Sequence, residues 1–478
     1  MTRILNNVNN ESRKNILVVL FALAVFISLI IFLPDTFTYS ARMMTAIVCL
    51  AVILWATEPF PLGLTALLVV LLILIFKVVD ISIAFSGFAS PAIYLIVGGM
   101  MLARSVNETN LMKRVTYFIL KKWGNTANGL LGSIIIILQI QALFIPATAV
   151  RTTLMLPTTE MIIKTVNAKP DSNLRKMLLL GVAYGGNISG TAIMTAAIGN
   201  ILTVELLNKY TNVQINYFQW LFYTFPLWLI LIPAIWFLLI KLFPLEADER
   251  HFPNLRSEMG RRLHKLGKVN KEEWHTLAIL VVIVTLWLTE AIHGLNPTVI
   301  VILGVVLMAL PKIGNGSKWE KIVSINYNTV ILLSVTLSLG YGLIESGAVQ
   351  VISDYLSSGM LLSLIQRPLL AVILVIILTQ LIHKVISNVS TAVVTIVPIF
   401  INLSLNADVN PVILGFTAGL TSLYGFVFVV ETMPNLIVHS TGLIAQRDYF
   451  RAGFYATIVT SVATIIVAIT WWKVIGLL

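Results

Sequence analysis

The residues best suited to chemistry in this chain sit where polar side chains interrupt apolar sequence. The stretch from Leu143 reads LFIPATAVRTTLMLP, with Pro146, Ala147, Thr148, Ala149 and Arg151 inside an apolar run, 129–163. Proline stops a helix, and Thr148 is expected to cap the next one. A helix restarting there offers unpaired N–H groups and the positive end of its dipole, which together seat an anion. A second interruption follows His383 and Lys384 and reads ISNVSTAVVTIVP from Ile386. Here Ser387 and Asn388 are expected to cap, Val389 follows, and Ser390 and Thr391 add hydroxyls. Arg151 opposes the dipole of its own helix, so an anion should compensate it, either a bound one or a carboxylate such as Glu160 or Glu431. Lys384 either serves the same site or extends toward water. His383 reads as a packed polar residue, and Glu431 as a partner for Lys384 or His383 or as a proton carrier.

Two further stretches belong with these. YGGNISGTAIMTAAIGN carries Gly185, Gly186 and Gly190 around Asn187, and ends at Asn200. The glycines and clustered polar residues are expected to unwind the middle of a helix. GFTAGLTSLYGFVFVVETMPN is its counterpart, with Thr432, Pro434 and Asn435 at a proline break.

The elements that must position these residues follow from composition. Of 478 residues, 58% are hydrophobic and 11% charged, with a mean hydropathy of +0.93. Soluble domains carry roughly 25% charged residues, so this is read as an all-α polytopic membrane protein. Crossings are expected near 16–33, 43–57, 62–79 and 91–104, followed by 177–207 and 219–243. Basic flanks on both sides of 129–163 argue for a re-entrant hairpin rather than a single crossing. The net charge of +11 is assigned to cytoplasmic loops and not to nucleic acid, because the basic block 246–273 has no aromatic interleaving. Asn-rich polar residues open the chain, and no small-residue cleavage site follows the first apolar run. Cys49 is alone, so neither a disulfide nor a cysteine metal site is expected. No metal or cofactor is implied, and no HExxH, nucleophile elbow or P-loop suggests an enzyme.

The second half echoes the first. WATEPFPLGLT at Trp55 returns as WLTEAIHGLNPT at Trp287, Ala147 pairs with Ser387, and Asn200 with Asn435, at offsets of 232, 240 and 235. Near-constant offsets argue for duplication, with opposite topology in the two copies. Inverted repeats with interrupted helices are the plan of secondary transporters that bind substrate at the midplane. The expected organisation is an N-terminal segment and first helix over 1–42, a first repeat over 43–244 with hairpin 129–163, a basic cytoplasmic linker over 245–273, and a second repeat over 274–478 with outer-side hairpin 368–404. The two hairpin tips are expected to meet around the anion.

In motif order the chain resembles the divalent anion/sodium symporter family, carriers of di- and tricarboxylates. The family's Ser-Asn-Thr tips correspond to Ala147-Thr148-Ala149 and to Ser387-Asn388-Val389, and its TPPN to Thr432-Met433-Pro434-Asn435. The resemblance runs from about Thr45 onward and is closest over 411–455. It implies about eleven transmembrane helices, two re-entrant hairpins, a homodimer and elevator-type movement in the cell membrane. Basic residues place the N-terminus in the cytoplasm, and the helix count places the C-terminus outside. The first tip lacks the Ser and Asn oxygens that hold sodium in symporters of the family, and the second lacks the Thr hydroxyl. Arg151 falls where the SNTAR variant of the sodium-independent branch has its arginine. The expected function is therefore one-for-one exchange of dicarboxylates such as 2-oxoglutarate, malate, succinate or fumarate. The alternative is a sodium- or proton-coupled di- or tricarboxylate symporter.

Overall fold

The computed structural model describes residues 2–314, 316, 318–357, 360–384, 386 and 388–478, and the backbone alone for 2–12, 360 and 361. Among the described residues the regular structure is helical, apart from an isolated antiparallel bridge between Thr126 and His251. Six helices are long and apolar enough to cross a bilayer: Arg13–Phe32, Tyr39–Thr57, Tyr217–Leu242, Tyr327–Glu345, Val389–Asn406 and Gln446–Trp472. Five shorter apolar helices, of 10 to 17 residues, accompany them. Arg13–Phe32 leaves Ile16, Leu17, Leu20, Phe21, Ile27 and Ile31 more than half exposed. Water would penalise such a continuous apolar face, whereas lipid does not, and the protein is a multi-pass membrane protein.

The chain folds into two compact units, each drawing on both halves of the sequence. The first comprises 1–93, 205–213 and 326–419. Its core gathers Met44, Ile47, Leu54 and Trp55 from Tyr39–Thr57, Val69 and Ile73 from Leu62–Ile75, and Leu332, Val335 and Leu339 from Tyr327–Glu345. Close approach is obligatory at Gly87, whose N–H donates to Ser338 Oγ at 2.9 Å. A methyl group there would fall 2.0 Å from Ser334 O. This unit holds the second hairpin, Pro368–His383 and Val389–Asn406, which packs on Tyr327–Glu345 and Ala348–Leu356.

The second unit comprises 94–204, 214–325 and 420–478. It holds the first hairpin, Ala127–Ala142 and Thr148–Thr165, with both arms against Asn173–Ile188. Local chemistry sets the helix starts. Thr126 accepts from Gly129 N, Ser172 accepts from Arg175 N, and Asn216 and Asn270 form capping boxes with Gln219 and Glu273. Within the linker, Pro253–Lys265 forms a helix that packs on Leu111–Trp123.

The two hairpins are copies in their element lengths. Each has a 16-residue first arm, a five-residue break and an 18-residue second arm. Proline stands at the tenth position of each second arm, Pro157 and Pro398. The second arms begin at Thr148 and Val389, 241 residues apart. This corrects the expected register by one residue: Ala147 pairs with Asn388, not Ser387. Matching small polar residues misaligned the tips, whereas the helix starts and prolines align them. The 235-residue offset of Asn200 and Asn435 recurs in short 3₁₀ turns, Met194–Ala196 and Val429–Glu431. The Trp echo is local: each indole N–H donates to the first residue's carbonyl in the next apolar helix, Trp55 to Leu62 O at 3.4 Å and Trp287 to Pro297 O at 3.1 Å.

Candidate functional site

In the second unit, two helices break side by side. The first stops at Ile188, turns through Ser189–Ala197 and restarts at Ile198. The second stops at Thr421 and restarts at Met433. Chain without helical hydrogen bonds must satisfy its carbonyls some other way when water is excluded, and here side chains do so. Asn200 Nδ2 donates to Gly190 O at 2.7 Å and to Ile193 O at 3.1 Å. Trp220 Nε1 donates to Thr191 O at 3.1 Å, and Thr224 Oγ1 to Ala192 O at 3.4 Å. In the second break Asn435 Nδ2 donates to Gly425 O at 3.0 Å and to Phe428 O at 3.2 Å. Tyr184 Oη donates to Phe426 O at 3.2 Å, and Glu431 Oε2 accepts from Val427 N at 3.1 Å. Asn200 and Asn435 thus read carbonyls ten and seven residues behind them in both copies.

The two breaks are tied together. Asn187 Nδ2 donates to Gly425 O and to Asn435 Oδ1, both at 3.1 Å. Thr191 and Tyr424 hydroxyls lie 3.2 Å apart. Thr432 caps the restart at Met433 by its backbone conformation, and its hydroxyl lies 3.5 Å from Gly425 O. Pro434 occupies the first turn, where its missing N–H costs nothing. The first hairpin reaches the same place. A methyl group on Gly186 would sit 2.5 Å from Thr152 Oγ1 and 3.3 Å from Pro434 Cβ, and one on Gly190 would sit 3.4 Å from Thr148 Cγ2. Of the three glycines expected to unwind the helix, only Gly190 lies in the break; Gly185 and Gly186 are helical and serve close packing.

Arg151 is fully buried. Its Nε and Nη2 donate to Ser189 Oγ at 3.1 and 2.9 Å, and its Nη1 to Ile145 O at 2.5 Å and Ala196 O at 2.9 Å. All these acceptors are neutral. Ile145 follows the end of the first arm, and Ser189 follows the end of Asn173–Ile188. The guanidinium therefore sits at the negative ends of two other helices, which offsets its conflict with the dipole of its own. Thr148 is not the cap that the sequence suggested. Ala147 takes that position with φ +73° and no side-chain cap, and Thr148 is the first helical residue, ahead of Ala149.

The second tip lies in the other unit. Asn388 caps as expected, accepting from Ser390 N at 2.9 Å and Thr391 N at 3.4 Å, with Val389 the first helical residue. Buried His383 Nδ1 lies 2.8 Å from Ile386 O. A carbonyl only accepts, so Nδ1 carries the proton. Ile386 is the duplicate of Ile145, so a nitrogen-bearing side chain holds the same break carbonyl in both hairpins. Lys384 ends the first arm as its C-cap. Ser387 lies outside the described residues.

Sequence reasoning passed over Gln139. Its Nε2 donates to Ile135 O and Gly185 O at 3.2 Å, and its Oε1 accepts from Trp228 Nε1 at 2.8 Å. A glutamine inside IIIILQIQA, repeated 241 residues later as Gln380, was the available signal. Among the described residues no cluster of three or more His, Cys, Asp or Glu could hold a metal ion.

The family model described as the sodium:sulfate symporter transmembrane region matches residues 13–478. A membrane protein of Cupriavidus necator is 24% identical over 467 residues, covering 93% of this chain and 89% of that protein. The sodium-dependent dicarboxylate transporters SdcS of Staphylococcus saprophyticus and Staphylococcus aureus are 25% and 24% identical, each over 92% of this chain and 88% of theirs. A match across nearly the whole chain, joined to paired hairpins and paired helix breaks, places this protein in the sodium:sulfate symporter family, the divalent anion/sodium symporters: it is a membrane transport protein for small anions and not an enzyme.

Proposed function

We propose that the chain is a secondary transporter of dicarboxylates across the cell membrane. The paired helix breaks carry this reading. Their carbonyls are pinned by Asn187, Asn200 and Asn435, which leaves the helix starts at Thr148, Ile198 and Met433 as positive poles for carboxylates. Ala147, Thr148, Ala149, Asn187, Thr432 and Pro434 are proposed to line the substrate position, with Gly190 and Gly186 allowing the hairpin to approach. In the second tip, Asn388 and Val389 are proposed substrate-binding residues, as is Ser387, which lies outside the described residues. About eleven transmembrane helices, inverted repeats, re-entrant hairpins, elevator movement and a homodimer complete the proposal, on the strength of the family resemblance and of the duplicated element lengths. In it the N-terminus is cytoplasmic and the C-terminus extracytoplasmic.

Two coupling modes follow. Cation-coupled symport has the better support from comparison, because relatives matching nine-tenths of this chain carry the name sodium-dependent dicarboxylate transporter. In that mode Glu431 or His383 is the proposed proton carrier if the cation is a proton. Exchange is the second reading, and the tips favour it: Arg151 engages Ile145 O and Ala196 O, and His383 engages Ile386 O. Oxygens bonded to fixed nitrogen groups are poorer ligands for a mobile cation. A fixed charge also hinders return of the empty carrier, at about 2.3 kcal/mol per charge per 100 mV. Proteoliposomes decide. Labelled succinate or 2-oxoglutarate entering anion-free vesicles down a sodium or proton gradient supports symport. Entry that requires internal dicarboxylate and ignores both gradients supports exchange. Sulfate or citrate carried while dicarboxylates are excluded would overturn the substrate assignment.

A further inference from the structure

The basic residues of Leu111–Trp123 and Pro253–Lys265 form a surface that the transport reading does not use. The helices pack through Leu111, Met112, Ile119 and Leu120 on one side and Leu255 and Met259 on the other. The pair is anchored at both ends of the linker helix. Ala127 N donates to Arg250 O at 3.1 Å and Phe252 N to Asn125 O at 2.8 Å. At the far end Arg114 donates to Gly267 O at 2.9 Å and pairs with buried Glu273 at 3.0 Å. These two helices hold eight Lys and Arg but a single acid, Glu258. Glu258 is taken by Arg261 and Arg262, and nearby Glu246 and Asp248 by Lys169. Lys113, Lys121, Lys122, Arg256 and Lys265 are exposed and have no carboxylate within 4.0 Å among the described residues. The Lys121 stem runs over Gly260, with Cε 3.7 Å from where a methyl group would stand. Its charge thereby joins those of the neighbouring helix. Exposed aromatics share the region: Phe118, Trp123 and, just beyond the linker, Trp274. Lys122 Nζ lies 5.1 Å from the Trp123 ring centroid.

Unneutralised cations next to exposed aromatic rings suit a boundary between phosphate headgroups and acyl chains. We propose that this helix pair binds anionic phospholipid headgroups, fixing the linker against the membrane surface. A soluble anion would use the cations and leave Phe118 and Trp123 in water, so the lipid is the better occupant.

The test places the full-length protein in phosphatidylcholine nanodiscs containing a small fraction of spin-labelled phosphatidylglycerol or spin-labelled phosphatidylcholine. The wild type should immobilise the anionic label preferentially, and salt should weaken the preference. The variant Lys121→Gln/Lys122→Gln/Arg256→Gln/Lys265→Gln should lose that preference by about tenfold or more, since each basic group near an anionic surface is worth roughly a fivefold change. A control with Lys77, Lys312, Arg367 and Lys473 changed to Gln should keep it. Equal loss in both variants, no loss in the first, or no preference in the wild type overturns the proposal. So does equal competition by soluble glycerol phosphate. The single variants Lys122→Gln and Arg256→Gln, each expected to show a partial loss, give the same readout if the fourfold variant folds poorly.

Discussion

At the residue scale, the arginine that looked like a substrate ligand is engaged as a clip. Its donors join the hairpin break at Ile145, the end of a helix at Ser189 and the first helix break at Ala196. Arg151→Ala should leave two buried carbonyls without donors, at roughly 1–3 kcal/mol for each unsatisfied group. The expected outcome is lost transport together with a lower melting temperature in detergent. Loss of transport with an unchanged melting temperature would return Arg151 to a direct substrate role. Arg151→Lys keeps the charge but lacks the planar fork, so it should recover little. Gly186 gives a steric counterpart. Gly186→Ala forces a methyl to 2.5 Å from Thr152 Oγ1, and transport should fall strongly. Adding Thr152→Ala should restore part of it, as measured by a double-mutant cycle. Additive losses would mean that the hairpin does not press on this helix.

At the element scale, each helix break carries one asparagine in the same register, which works beside other side chains to replace missing helical hydrogen bonds. Asn200→Ala removes two hydrogen bonds and leaves Gly190 O without its donor, while Ile193 O keeps Ala196 N. Asn435→Ala removes three: those to Gly425 O and Phe428 O, which keep Asn187 Nδ2 and Glu431 N, and the one accepted from Asn187. Both variants should be destabilised, Asn435→Ala the more, by melting temperature of the purified protein; the reverse order would mean that the Asn187 link carries little. Much of this element plan was readable beforehand. The five-residue break lies where Pro146 placed it, and Asn200 and Asn435 were matched from sequence. What escaped has physical causes. Ala147 takes a left-handed conformation that alanine seldom adopts, so Thr148 seemed the natural cap. The carbonyl that Arg151 holds and the Gln139 link to Gly185 depend on which helices come together, and one sequence carries no record of that. Gly185 and Gly186 show the limit of composition, since a glycine placed for close packing looks like one placed for a bend.

At the scale of the molecule, the linker between the two sequence halves is locked onto the second unit by Arg114 and Glu273. Arg114→Met leaves Glu273 as a buried carboxylate without its cation, which costs about 3–5 kcal/mol. The last turn of the linker helix loses its cap at the same time. Hydrogen exchange over 253–268 should speed up while exchange in Asn173–Ile188 stays unchanged; unchanged protection over 253–268 would show that the Thr126–His251 bridge suffices alone. The asparagine frame has a different kind of consequence. Asn200 and Asn435 grip main chain and ignore the side chains between, which is why IMTAAIG and FVVETMP hold alike despite sharing almost no sequence. Descendants of this fold are thereby free to rewrite those few letters without rebuilding the mount that carries them.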